Sequence, residues 1–162
     1  MNTKEEIIDW LRDAYAMERG LEITLQKQAD NEKLLPSARQ QAMLHRSETE
    51  RHAEAVKACL ESLGADTSTL KTGLAQGMEM AKGMATAFAR DEQVKDILAA
   101  YAMEYFEIAC YKALRVGGET LGLTSVVAMC DSIIPDEERM AKWLDANLPD
   151  LIRSYLTNVA VS

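Results

Sequence analysis

Four stretches of this chain carry apolar residues at three- and four-residue steps, and a single glutamate interrupts the apolar stripe of each. That pattern restricts the fold more than any other feature. Residues 4–30 place Ile7, Leu11, Ala14, Glu18, Leu21 and Leu25 on one face of a helix. Residues 37–63 do the same with Ala42, His45, Glu48, His52, Ala55, Cys59 and Leu63, entered at Pro36 and stopped at Gly64. Residues 92–121, starting near Asp91, align Ala100, Met103, Glu107, Cys110, Leu114, Gly117 and Leu121. Residues 124–147, with Thr124 or Ser125 as cap, align Val127, Cys130, Ile134, Glu137, Ala141 and Leu144.

The connections fix how such helices pair. Helices one and two, and helices three and four, are separated by short segments, which makes each pair an antiparallel hairpin. Between the hairpins lie the 27 residues GADTSTLKTGLAQGMEMAKGMATAFAR, too many for a tight turn. Two hairpins joined by one long crossover, residues 64–91, form an all-α, ferritin-like four-helix bundle. The crossover's Leu70, Leu74, Met78, Ala81, Ala85 and Phe88 predict a short helix, with Met78, Met80 and Met84 as adaptable packing. PDLIRSYLTNVAVS predicts a short C-terminal helix or an oligomer contact, and Pro135 predicts a kink or break in the fourth helix. Eight Gly and three Pro in 162 residues suit one helical domain spanning 1–162.

The seam glutamates then acquire meaning. Glu48 follows Glu18 by 30 residues, and Glu137 follows Glu107 by 30, so each pair meets at similar height once its hairpin closes. Buried carboxylates that converge require protons, cations or metal. Two divalent ions would neutralise four of them. His52, one turn beyond Glu48, adds a nitrogen donor, and Glu104, three residues before Glu107, adds a bridging or mobile carboxylate. Oxygen donors with imidazole suit iron or manganese, and zinc fits the same set. His45 reads equally as a ligand or as a hydrogen-bonding core or rim residue. Without metal, the same glutamates would be matched by Arg51, Arg115 or Lys142, or would share protons. Tyr15, Tyr101, Tyr105, Phe106 and Tyr111 cluster near the site and read as core, as do the thiols Cys59, Cys110 and Cys130.

Several motifs resemble the YciF-like family of bacterial ferritin-like stress proteins, which includes YciE. WLRDAYAMERGLEITLQKQA looks like its first helix, with Glu18 at the acidic position. HRSETERH is similar to its H-x-x-E-T-x-x-H signature, EYFEIACYKALRVGGETLG to its E-H-Y-E-I-A stretch, and DEE stands at the fourth-helix glutamates. Tyr105 replaces the family's His, Pro135 enters the acidic run, and Ala141 stands where relatives often have Asp. The resemblance implies a helical bundle, often dimeric, linked to stress responses, with a dinuclear metal centre.

A net charge of −8 and a pI near 4.8 oppose binding to nucleic acid or to an anionic membrane. The absence of a long apolar run and of a signal-peptide pattern predicts a cytoplasmic protein. The expected function is a dinuclear iron or manganese site acting on oxygen or peroxide, in a homodimer built through a hairpin's outer face or the C-terminal segment. The competing class is a structural or interaction bundle with a metal-free polar core.

Overall fold

A computed structural model describes residues 3–67 and 91–160. Its helices are α1 (Thr3–Asp30), α2 (Pro36–Ser62), α3 (Glu92–Leu121) and α4 (Thr124–Ala160), with no strand among the described residues. Pro36 opens α2, where its missing N–H costs nothing. Asp91 caps α3, its carboxylate accepting from the Gln93 and Val94 amides at 2.8 and 3.3 Å. Gly122 ends α3 at φ 66°, a left-handed conformation that lets the Leu123 N–H bond back to the Gly118 carbonyl at 2.8 Å.

Helices α1 and α2 pack together, as do α3 and α4, and the two hairpins meet along α1–α3 and α2–α4. Gln93 at the start of α3 donates to the Lys33 carbonyl in the α1–α2 turn, while a Cβ on Gly117 near the end of α3 would touch Ile7 near the start of α1. Helices α1 and α3 are therefore antiparallel, and α2 and α3 run the same way. A 27-residue helix is about 40 Å long, so the path from Ser62 to Asp91 has to cover that length. That is the crossover arrangement of the ferritin-like bundle. The short helix expected within it, and Met78, Met80 and Met84, lie outside the described residues.

Several expectations change. The fourth helix does not stop at 147, and no separate short C-terminal helix follows, because α4 runs on to Ala160. Leu151, buried against Ala38 and Ile97 and flanked by Trp143 and Leu148, anchors the added turns. Pro135 does not break the helix. Its ring is exposed and on the outer side, where the carbonyl one turn back, on exposed Asp131, can bond to water. The buried face of α2 also drifts from the strict seam, taking in His45, Thr49, His52, Ala53 and Val56 and leaving Glu48 and Ala55 at its edge. A straight helix turns every 3.6 residues, so a stripe counted in sevens slips sideways. Cys59 and Cys130 are buried free thiols, but Cys110 is only partly covered.

Candidate metal centre

The core of the bundle is apolar at both ends and charged in the middle. Glu18, His45, His52, Glu104, Glu107 and Glu137 are each at most 4% exposed. Helix α1 supplies Glu18, α4 supplies Glu137, α2 supplies two imidazoles two turns apart, and α3 supplies two carboxylates one turn apart. They fall into two groups. Donor atoms of His45, Glu104, Glu107 and Glu137 lie within 4.8 Å of one another, as do those of Glu18, His52 and Glu137. Glu137 belongs to both.

Within these groups the polar atoms face a common space and do not satisfy each other. Both oxygens of Glu107 and of Glu137, one oxygen each of Glu18 and Glu104, and Nδ1 of His52 have no hydrogen-bond partner among the described residues. His52 Nδ1 stands 2.8 Å from Glu137 Oε1 without the alignment of a hydrogen bond, and His45 Nε2 is 3.4 Å from both Glu104 and Glu137. Tyr111, fully buried, donates its hydroxyl to the other oxygen of Glu18. Buried polar atoms left in this way are rare and costly. Oxygen donors converging with imidazoles form a set that could hold a metal ion, and Glu137 is common to both groups.

Protons have to do that work when no ion is bound. Burial, reinforced by Glu137, pushes the Glu18 carboxyl up to about 8, and burial raises Glu107 well above the ordinary carboxylate range. Burial raises Glu104 as well, against the opposing pull of His45. Burial alone would lower His45, but Glu104 and Glu48 outweigh it and hold the imidazole up to about 10. The same contest, won by Glu137 and Glu18, raises His52.

Around this centre runs a second layer that the residue spacing did not reveal. Glu48 accepts from His45 Nδ1 at 3.1 Å, and Asp136 from His52 Nε2 at 3.0 Å. Arg139 ties the two carboxylates together, at 2.7 Å from Glu48 and 2.6 Å from Asp136. Each imidazole thus has one nitrogen held from outside and the other turned inward. Hydrogen bonds from His45 and Arg139 keep Glu48 below the usual carboxylate range, and for Asp136 the same kind of support from His52 and Arg139 overcomes burial.

Of the six residues expected as ligands, the fold gathers Glu18, His52, Glu104, Glu107 and Glu137 and sets Glu48 apart on the rim, its side chain 18% exposed. His45, left open between ligand and rim, is in the first group. Among the cations expected to match the seam glutamates, Arg115 pairs with Asp131 and Glu119, and Arg51 reaches Glu48 only at 4.0 Å. No Lys or Arg among the described residues forms an ion pair with Glu18, Glu104, Glu107 or Glu137. Of the aromatic group, Tyr111 is core, whereas Tyr105 and Phe106 are about half exposed and face outward. The rings of Tyr101 and Tyr105 lie 5.4 Å apart, tilted by 37°, and Tyr101 donates to Asp145.

Helix order and core composition together define an all-α bundle of ferritin-like build with a carboxylate- and imidazole-lined centre. The chain belongs to the DUF892 family, described as a domain of unknown function, whose model matches residues 2–157. A protein from Xanthomonas campestris shares 27% identity over 99% of both chains, with a TM-score of 0.81. The Escherichia coli stress protein YciF matches 94% of this chain and 98% of its own at 22% identity and a TM-score of 0.76. YcfI from Rhodopseudomonas palustris, for which a structural role has been suggested, matches 90% of this chain and 94% of its own at 23% identity and a TM-score of 0.75. The YciF-like resemblance seen in the helix motifs agrees with these matches.

Proposed function

We propose that the protein is a stress-associated, carboxylate-bridged dinuclear metal protein that uses iron or manganese to consume oxygen or peroxide. The observation that carries this reading is the set of buried, unsatisfied donor atoms on Glu18, His52, Glu104, Glu107 and Glu137, which form two groups joined by Glu137, one of them with His45. Four inner carboxylates balance two divalent ions, which would leave the centre neutral. When bound, the metal supplies Lewis acidity and a change of oxidation state. The chain's own contribution is positional. Glu137 would span the two positions, Glu18 with His52 would hold one, and Glu104, Glu107 and His45 the other. Glu48, Asp136 and Arg139 orient the imidazoles.

One specific observation favours a metal-free alternative. His45 lies 3.4 Å from Glu104 and Glu137 and His52 2.8 Å from Glu137, so the two imidazoles, when protonated, would neutralise part of the core charge on their own, giving a structural bundle with a polar centre. Metal analysis of natively purified protein separates the two. Close to two iron or manganese ions per chain, with peroxide loss on addition of the loaded protein, is expected, and metal-free protein that takes up no manganese would overturn the proposal. The working form is a cytoplasmic homodimer. Exposed Leu156 near the end of α4 contributes to one of the two faces considered for it, and no described helix is long and apolar enough to cross a membrane.

A further inference from the structure

Two cavities adjoin in the bundle, the larger lined from all four helices and the smaller mainly from α1 and α3. The larger, about 250 Å³, lies at the α1–α2 turn end, its lining including Lys27, Asn31 and Gln93 together with Leu34, Trp143 and Leu151. The smaller, about 40 Å³, is lined by His45, Glu104 and Glu107. Thr24, Gln28, Asp96, Ala100 and Met140 line both. The small cavity exceeds the space one water requires. Its walls include three of the four residues at the His45 position, yet neither Glu18 nor His52. The Glu18–His52 position is closed on one side by fully buried Tyr111.

We propose that these cavities form the access route by which a divalent cation, and a ligand the size of peroxide, reaches the His45–Glu104–Glu107 position, with Ala100 at the constriction. The proposal rests on the dinuclear reading above. It makes the two positions unequal. The one at His45 exchanges with solvent and receives the small-molecule ligand, whereas the one at Glu18 and His52 fills only through it. The polar lining suits this use, because the side chains of Asp96 and Gln28 border both cavities. Ala100 is the small residue among the five shared ones, so a larger side chain there narrows the path without removing a ligand.

The test is manganous ion loading of the metal-free protein, followed by loss of the aqueous manganese resonance. Ala100→Phe should slow uptake by about tenfold or more, since the helices must open transiently before an ion passes, a motion of the microsecond-to-second class. Final stoichiometry should match wild type. Ala102→Phe, the same change on the exposed face of the same helix, should load at the wild-type rate. Ala100→Leu should shift uptake in the same direction by a smaller factor, which keeps the test decisive if the Phe variant folds poorly. Wild-type uptake rates in both Ala100 variants would overturn the route, as would a lost equivalent at saturation, because Ala100 would then shape the site itself. Failure of wild type to take up manganese would instead refute the dinuclear reading.

Discussion

Arg139 on α4 reaches across to Glu48 on α2, its guanidinium 2.7 Å from the carboxylate, although its own side chain is 60% exposed. The same nitrogen holds Asp136 at 2.6 Å, so one surface cation sets the orientation of both buried histidines. Exposed ion pairs contribute little to stability, whereas partners that orient ligating histidines commonly change metal affinity 10- to 100-fold. Arg139→Ala is therefore expected to weaken manganese binding by about 10- to 100-fold while leaving the metal-free melting temperature within roughly 2 °C of wild type. Calorimetric titration alongside a thermal melt reads both. Unchanged affinity would mean that the Arg139 bridge does not govern how the histidines are held.

Tyr111 gives a prediction of the opposite kind. Its hydroxyl donates to Glu18 in a region without solvent, so Tyr111→Phe leaves a buried acceptor without its partner. The cost expected is about 1–3 kcal/mol in the metal-free protein. Urea unfolding in chelator should show the midpoint fall with an unchanged slope. If the midpoint holds, Glu18 finds water or a proton there and the hydroxyl is dispensable.

The bundle and its inner glutamates were legible because both depend on periodicity. A helix that buries one stripe has to repeat it, and that stripe carried Glu18, Glu107 and Glu137 into the core, whereas the equal spacing within a hairpin held for Glu107 and Glu137 but not for Glu18 and Glu48. The second layer was not legible, because it depends on a few tens of degrees of helix rotation. Strict heptad counting put Glu48 in the seam, but the real turn moves it to the rim and brings Thr49 inward. His45 lay on the seam from the outset, yet a histidine there reads as ligand or as core until its neighbours are known. Asp136 and Arg139, on the outer flank of α4, had no apolar pattern to mark them. A carboxylate next to Glu137 with an arginine one turn on was the available signal. The length of α4 was hidden by Pro135 and Pro149, which report a lost hydrogen bond but not whether water replaces it.

Stability of the metal-free protein should fall as pH rises. Glu18 titrates near 8 when folded and at 4.5 in its ordinary environment, so between these values the folded state holds a proton that the unfolded state has released. His45, raised from 6.5 to about 10, does the same in the higher window. In both cases the folded form binds more protons. The stabilising contribution is therefore complete below the unfolded values and is lost toward pH 8 and then pH 10, at up to about 1.4 kcal/mol per pH unit for each proton. Denaturation midpoints in chelator should decline from pH 5 to pH 9. Because metal displaces these protons, the stabilisation given by manganese should grow over the same range. A midpoint that climbs with pH in chelator would show that the core carboxylates are ionised without metal.

Glu107 separates a ligand from a structural partner most directly. It is 1% exposed, neither oxygen has a hydrogen-bond partner among the described residues, and burial holds its proton on. A carboxyl buried there without a partner costs the metal-free fold its desolvation. Glu107→Gln should then melt no lower than wild type in chelator, and Glu107→Leu is expected to be neutral or more stable by roughly 1 kcal/mol or more. With manganese at about 100 times its dissociation constant, wild type gains about 2.7 kcal/mol, a rise of roughly 5–10 °C for a chain of this size. Both variants should lose most of that rise. Thermal melts of the three proteins, with and without manganese under anaerobic conditions, give all the comparisons needed. If the variants are strongly destabilised in chelator while wild type shows no metal-induced rise, Glu107 is a structural partner in a polar core, and the metal centre has to be abandoned.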